Sequence, residues 1–213
     1  MRALLTVFLS VALAACGGLF QTKIPSPTTY VLSPGPKAAA AEPAAPRTEP
    51  AAAASIDLAV LRPRVRAGLE TDRIAALYPD RHLDYFANVR WSGPLDEVIQ
   101  GLAVQEIHTN PGLRNVSSDS SVFASAYWLE IEIVDFQAEY PASGGAPTIH
   151  VRLQARVGSS ADRRVIARFE PNIFETAADN RISAIVDAYN RAADRALAEI
   201  GQGAMQALAG TGK

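Results

Sequence analysis

The apolar positions of the chain change period several times, and each change marks an element. Ile56, Leu58 and Val60 recur at every second residue, as in a strand with one dry face. Residues 73–78 and 83–88 are separated by Pro79-Asp80-Arg81-His82, which predicts two more strands joined by a turn. At Leu95 the period lengthens: Leu95, Val98, Ile99 and Leu102 fall at i, i+3, i+4 and i+7, one face of a helix. Pro94 suits the first position, where an N–H would have no partner, and Asp96 and Glu97 complement the positive end of the helix dipole. Asn110-Pro111-Gly112 ends the helix.

Leu129, Ile131 and Ile133 alternate with Glu130 and Glu132, and then the apolar set moves to Val134, Phe136, Ala138 and Tyr140. A strand keeps its faces across such a shift only by admitting one extra residue, so a β-bulge is predicted near Ile133. Ile149, Val151, Leu153, Ala155 and Val157 alternate against His150, Arg152, Gln154 and Arg156, and a further strand is predicted over residues 164–174, with Pro171 marking an irregular end. Ile182, Ile185, Val186, Tyr189, Ala193, Ala196, Leu197 and Ile200 form the apolar stripe of a long helix, capped by Asp179 or Asn180 and followed by a glycine-containing tail over residues 201–213. A meander of strands with two amphipathic helices on one face is an α+β fold: an antiparallel-rich sheet in a single domain over residues 56–200.

The first 55 residues follow another logic. Residues 1–15 open with Met1-Arg2 and continue as an apolar run that, at 1.5 Å per residue, reaches roughly 20 Å, short of the ~30 Å a membrane span needs. They are read as a signal peptide. Leu13-Ala14-Ala15-Cys16 resembles a bacterial lipobox, in which the cysteine sulfur is acylated before cleavage. The alternative is ordinary cleavage at Ala12-Leu13-Ala14, leaving Cys16 as a thiol. Gly17 in place of aspartate favours, by the same resemblance, sorting to the outer membrane. Residues 16–27 then form a tether, residues 28–32 a short β-branched strand, and residues 33–55 a flexible segment dominated by alanine and proline. If the short strand joins the domain, the Ala/Pro segment is an internal loop, and deleting residues 36–54 is expected to leave the fold intact.

Charge and chemistry narrow the picture. With 20 basic and 22 acidic residues the chain lacks the positive field that nucleic-acid binding requires. One cysteine excludes an intrachain disulfide. His82, His108 and His150 have no ligand-type partner at helical spacing, and no nucleophile elbow, phosphate loop or dinucleotide fingerprint occurs. His150 is expected to be solvent-facing or charge-paired. Glu130 and Glu132 are read as ion-pair partners of Arg152 and Arg156 across two strands, in preference to an acid/base pair, and Asp187–Arg191 and Arg195–Glu199 as helix pairs. No catalytic residue, metal site or cofactor is expected. Trp91, after Arg90, either packs or anchors an interface, and the two are carried as candidate partner-interface residues.

Several spaced segments together resemble a known family. Leu69-Glu70-Thr71-Asp72-Arg73-Ile74, Leu83-Asp84-Tyr85-Phe86-Ala87-Asn88-Val89-Arg90-Trp91, Pro94-Leu95, Tyr127-Trp128-Leu129-Glu130 and Asp135-Phe136-Gln137 are similar to the ABC-type transport auxiliary lipoprotein components, PqiC-like proteins that accompany MCE-type lipid transport. The resemblance implies a non-catalytic, lipid-anchored protein on the periplasmic face of the outer membrane. Its implied partners are an MCE-type periplasmic protein and an ABC permease and ATPase, and homo-oligomers are expected. A lipid-anchored periplasmic hydrolase, or a structural assembly factor of another envelope complex, is the alternative.

Overall fold

The computed structural model describes residues 26–33, 56–110, 113–118 and 125–210. Cys16 and the signal-peptide and Ala/Pro segments lie outside the described residues, apart from the short stretch 26–33. The order of elements is β1 (Thr28–Tyr30), β2 (Ile56–Val60), β3 (Arg64–Val65), β4 (Arg73–Leu77), β5 (Leu83–Trp91), α1 (Leu95–His108), β6 (Leu113–Ser118), β7 (Tyr127–Glu139), β8 (Thr148–Ser159), β9 (Val165–Phe169), β10 (Asn172–Thr176) and α2 (Ile182–Ala209). The fold is α+β, as the periodicity predicts: one mixed, mostly antiparallel sheet covered by two helices.

β7 is the spine of the sheet. β8 pairs with it antiparallel over twelve positions, from Tyr127 opposite Ser159 to Glu139 opposite Thr148. Its other partners, β2, β3 and β4, all run parallel to it and meet it in succession at Leu129, Ile133 and Glu139. Residues 56–77 thus behave as one long strand with two interruptions. Arg62-Pro63 makes the first break, since proline cannot donate to a ladder. The second is an excursion through Gly68, whose φ of +90° suits glycine and few other residues. Periodicity alone could not reveal this parallel path, and it does not reveal β3 or β6.

Other boundaries also differ from the sequence expectation. The segment predicted over 164–174 divides at Pro171 into β9 and β10, both on the outer edge of β8, and the Pro171 carbonyl accepts the Leu153 N–H at 3.1 Å. β5 extends to Trp91, with a kink at Asn88, whose φ of +58° is one that asparagine tolerates. α2 does not end at Ile200 but continues through Gly201 and Gly203 to Ala209, so residues 201–209 are helix and not tail. Neither Asp179 nor Asn180 caps it. The cap is Arg181, with no side-chain hydrogen bond to the helix, because Asp179 pairs with Arg181 and Asn180 accepts the Tyr140 hydroxyl.

The core lies between the sheet and α2. Ala188, Ala192, Ala193 and Ala196 line the buried stripe of α2, and such small side chains allow the helix to approach β8 closely. At Gly203 an added Cβ would sit 2.5 Å from the Phe169 ring, so glycine there permits a near contact with β9. Trp91, Phe136 and Tyr189 form an aromatic cluster with ring centroids 5.1–6.1 Å apart, and the Tyr189 hydroxyl donates to the Ala75 carbonyl at 2.8 Å. Burial raises the Tyr189 phenol well above its ordinary range, so this donor keeps its proton.

Candidate interaction surfaces

The helices cover one face of the sheet and leave the other bare, and the bulge in β7 decides what the bare face carries. Ile133 pairs with Leu153 and Asp135 with Arg152, so Val134 is the extra residue. That single insertion puts Asp135, Gln137 and Glu139 on the same face as Glu130 and Glu132. The basic partners come from β3 and β8 and the turn after β3. Glu130 is held by Arg156 at 2.7 Å and Arg64 at 2.8 Å, and Glu132 by Arg64 at 3.6 Å. Asp135, only 5% exposed, accepts from Arg152 at 2.6 Å and Arg66 at 3.0 Å.

Burial alone would push the Asp135 carboxyl up, but donors from Arg152 and Gln137 outweigh it and hold the group below the usual carboxylate range. Gln137 completes the row. Its amide nitrogen lies 3.3 Å from Asp135 and 3.1 Å from Glu139, and its oxygen accepts the Phe136 N–H. Beyond it, His150 is placed between Glu139 and Asn172, each at 2.8 Å, and stacks on Phe174 with centroids 4.2 Å apart. Of the two settings expected for His150, solvent-facing or beside a charged partner, the fold builds the one beside a carboxylate.

Arginines engage Glu130, Glu132 and Asp135, and His150 and Gln137 engage Glu139, so the row works as a structural ladder of paired polar groups. The hollow between Arg64, Glu130, Gln154, Arg156 and Arg168 is about 160 Å³ and polar, below the ~300–1,000 Å³ of a typical apolar ligand pocket. Larger hollows near Trp128 and near Pro63, about 530 and 490 Å³, are broad surface grooves and not deep cavities. Among the described residues no group of three potential metal ligands comes together.

The sequence-predicted site residues separate. Trp91 is 2% exposed inside the aromatic cluster, so it packs and cannot present its ring to a partner, a correction to its candidacy as an interface residue. Arg90 projects from the opposite face of β5 and lies 3.6 Å from Asp72 at the surface. Two ion-pair expectations are also corrected. Arg152 joins Asp135 and not a glutamate, and Arg191 and Arg195 both reach across to Glu175 on β10 instead of pairing along α2. The partner of Arg152 was readable from the register shift at Ile133. That of Arg195 was not, because it depends on how α2 lies over β10.

Comparison with known proteins now places the chain. No curated protein matches it. Its fold is similar to the crystal structure of a Xanthomonas campestris protein of the DUF330 family, with TM-score 0.67 and 19% identity over 87% of this chain and 95% of that one. It is also similar to an uncharacterized protein, with TM-score 0.62 and 14% identity over 84% and 99%. A family model described as ABC-type transport auxiliary lipoprotein component matches residues 35–201, from before β2 into the last turns of α2. The chain belongs to this family of ABC-type transport auxiliary lipoprotein components.

Proposed function

We propose that the protein is a non-catalytic accessory component of an ABC/MCE-type system that moves phospholipids or other hydrophobic molecules between membranes. Membership of the transport auxiliary family carries the reading. In this reading acyl chains on Cys16 hold the domain on the periplasmic face of the outer membrane, and it acts by association with an MCE-type protein and its permease and ATPase, as a homo-oligomer. The ion-paired face supports an associative role. Alternating charge on a rigid sheet supplies orientation and partner discrimination more than raw affinity, and its carboxylates are held by arginine, or for Glu139 by His150, and not poised against a nucleophile.

The test is capture of the full-length tagged protein from membranes under mild detergent. Co-purification of an MCE-type protein, and elution above monomer mass, are expected. Monomeric elution without capture, together with a hydrolase activity abolished by one serine or carboxylate substitution, would replace this proposal with the enzyme reading.

A further inference from the structure

β1 shows from which end the tether enters the domain. β1 runs parallel to β5, with Thr28 beside Val89 and Tyr30 beside Trp91, so the chain arrives from the end at which β5 begins. The turn between β4 and β5, Tyr78 to His82, stands at that end. β7 finishes there too, since Glu139 lies beside Leu77, and the connection 140–147 follows. Thr176 opposite Thr148 brings the connection into α2 to the same place. The turn between β8 and β9 lies at the far end, beyond Ser159.

This end carries an aromatic and apolar rim. Tyr78 stacks on both His82 and Tyr140, with centroids 4.6 and 5.2 Å apart, and Phe86 tilts against Tyr140. Leu83 is 38% exposed, and Phe174, on the adjoining bare face, is 52% exposed. Three acidic groups at the rim have side-chain partners, Asp80 with His82, Glu139 with His150 and Asp179 with Arg181, while Asp84, beside Leu83, accepts the Tyr85 N–H. Such a surface opposes anionic headgroups weakly, and tyrosine and histidine offer an apolar body with a polar edge.

We propose that this rim is the membrane-facing end, and that Leu83 and the Tyr78 stack rest in the headgroup layer of the bilayer holding the Cys16 acyl chains, with Phe174 on its flank. The occupant follows from chain length and from where the chain ends. Nine residues separate Cys16 from Ser26, ten Cα–Cα steps with a reach of at most ~36 Å, and the direction of β1 points this tether toward this end of the sheet. A surface tethered so closely is presented at high effective concentration, so weak individual contacts suffice. The inference rests on the anchoring reading above.

The experiment uses the full acylated chain. Acylation consumes its one native cysteine, so Leu83→Cys provides a single thiol for an environment-sensitive fluorophore, Ser143→Cys a second rim position and Ala161→Cys a control at the far end. The proteins are placed on phosphatidylethanolamine/phosphatidylglycerol vesicles with or without headgroup-attached quencher, and the same samples are floated. Variants with wild-type melting temperatures should float, with quenching several-fold greater at 83 and 143 than at 161. Flotation with equal quenching at all three sites overturns the rim assignment and leaves the anchor standing. Failure to float overturns the anchor and the inference with it. A change at 83 that requires an added MCE-type protein, with vesicles alone inert, overturns the lipid assignment and makes the rim a protein interface.

Discussion

Asp135 and Arg152 stand directly opposite each other on β7 and β8, with the Arg152 Nε 2.6 Å from the Asp135 carboxylate, and they meet because Val134 is the one extra residue in β7. Were Val134 paired instead of bulged out, Arg152 would face Val134 and the row of charges would break at its centre. Asp135 is also one of the few buried polar residues, so the pair sets the register of the two longest strands at the point where register is most easily lost.

Asp135→Asn should therefore lower stability by about 1–3 kcal/mol at neutral pH, since two guanidinium groups lose a charged acceptor. The folded carboxyl titrates below its unfolded value of about 3.9, so the contribution is complete above that pH and is lost as pH falls through the lower folded value. Urea melts from pH 7 to pH 2.5 should show wild type and variant converging only at the acid end.

Trp91→Ala should cost about 3–5 kcal/mol, because it opens a cavity beneath Phe136 and Tyr189. Arg90→Ala, which removes one exposed ion pair, should stay within about 0.5 kcal/mol. Chemical denaturation of the two neighbours decides whether this dipeptide is core and surface, as the fold has it.

Glycines in the two helices should respond with opposite signs. Gly101 meets nothing within 4 Å of an added Cβ, so Gly101→Ala should stabilise by about 0.5–1 kcal/mol through helix propensity. Gly203→Ala drives a methyl into the Phe169 ring and should cost about 1–3 kcal/mol. Thermal midpoints moving in the same direction would contradict the close packing of α2 on β9.

The Ala/Pro connection should tolerate shortening, and the distance it must span sets the test of the expectation that residues 36–54 can be deleted as a block. Ser33 is bonded to Asn190, whereas Ile56 pairs with Leu113, itself bonded to Asn110 beside Gly201. Asn190 and Gly201 are about 16 Å apart along α2, before either strand's offset from the helix is added. Removing 36–54 leaves three residues with a reach of about 14 Å, close to that separation, so the melting temperature of this deletion reads whether β1 stays attached. A deletion that keeps ten residues should leave the melting temperature within a few degrees of wild type, since closure entropy changes by under ~1 kcal/mol.

Cys16→Ser should abolish fatty-acid labelling and release the protein from the membrane fraction. Continued labelling of that variant would remove the anchor from the proposal.

Whatever repeats locally is legible along the chain. Alternation marked the buried faces of β2, β7 and β8, the one-residue shift at Ile133 located the bulge, and the 3.6-residue period placed α1 and the first two thirds of α2, because each of these patterns is written by neighbours along one element. The remainder follows from long-range packing. That β2, β3 and β4 succeed one another beside β7 depends on contacts between residues some seventy positions apart, which no local period encodes. Gly201 and Gly203 signal a helix end in isolation, yet packing of Ala204 and Leu208 against the body of the domain overrides the propensity penalty and carries α2 to Ala209. Trp91 shows the same limit at one residue. Its ring is apolar enough for a core or an interface, and only its placement against the stacked Phe136 and Tyr189 put it inside.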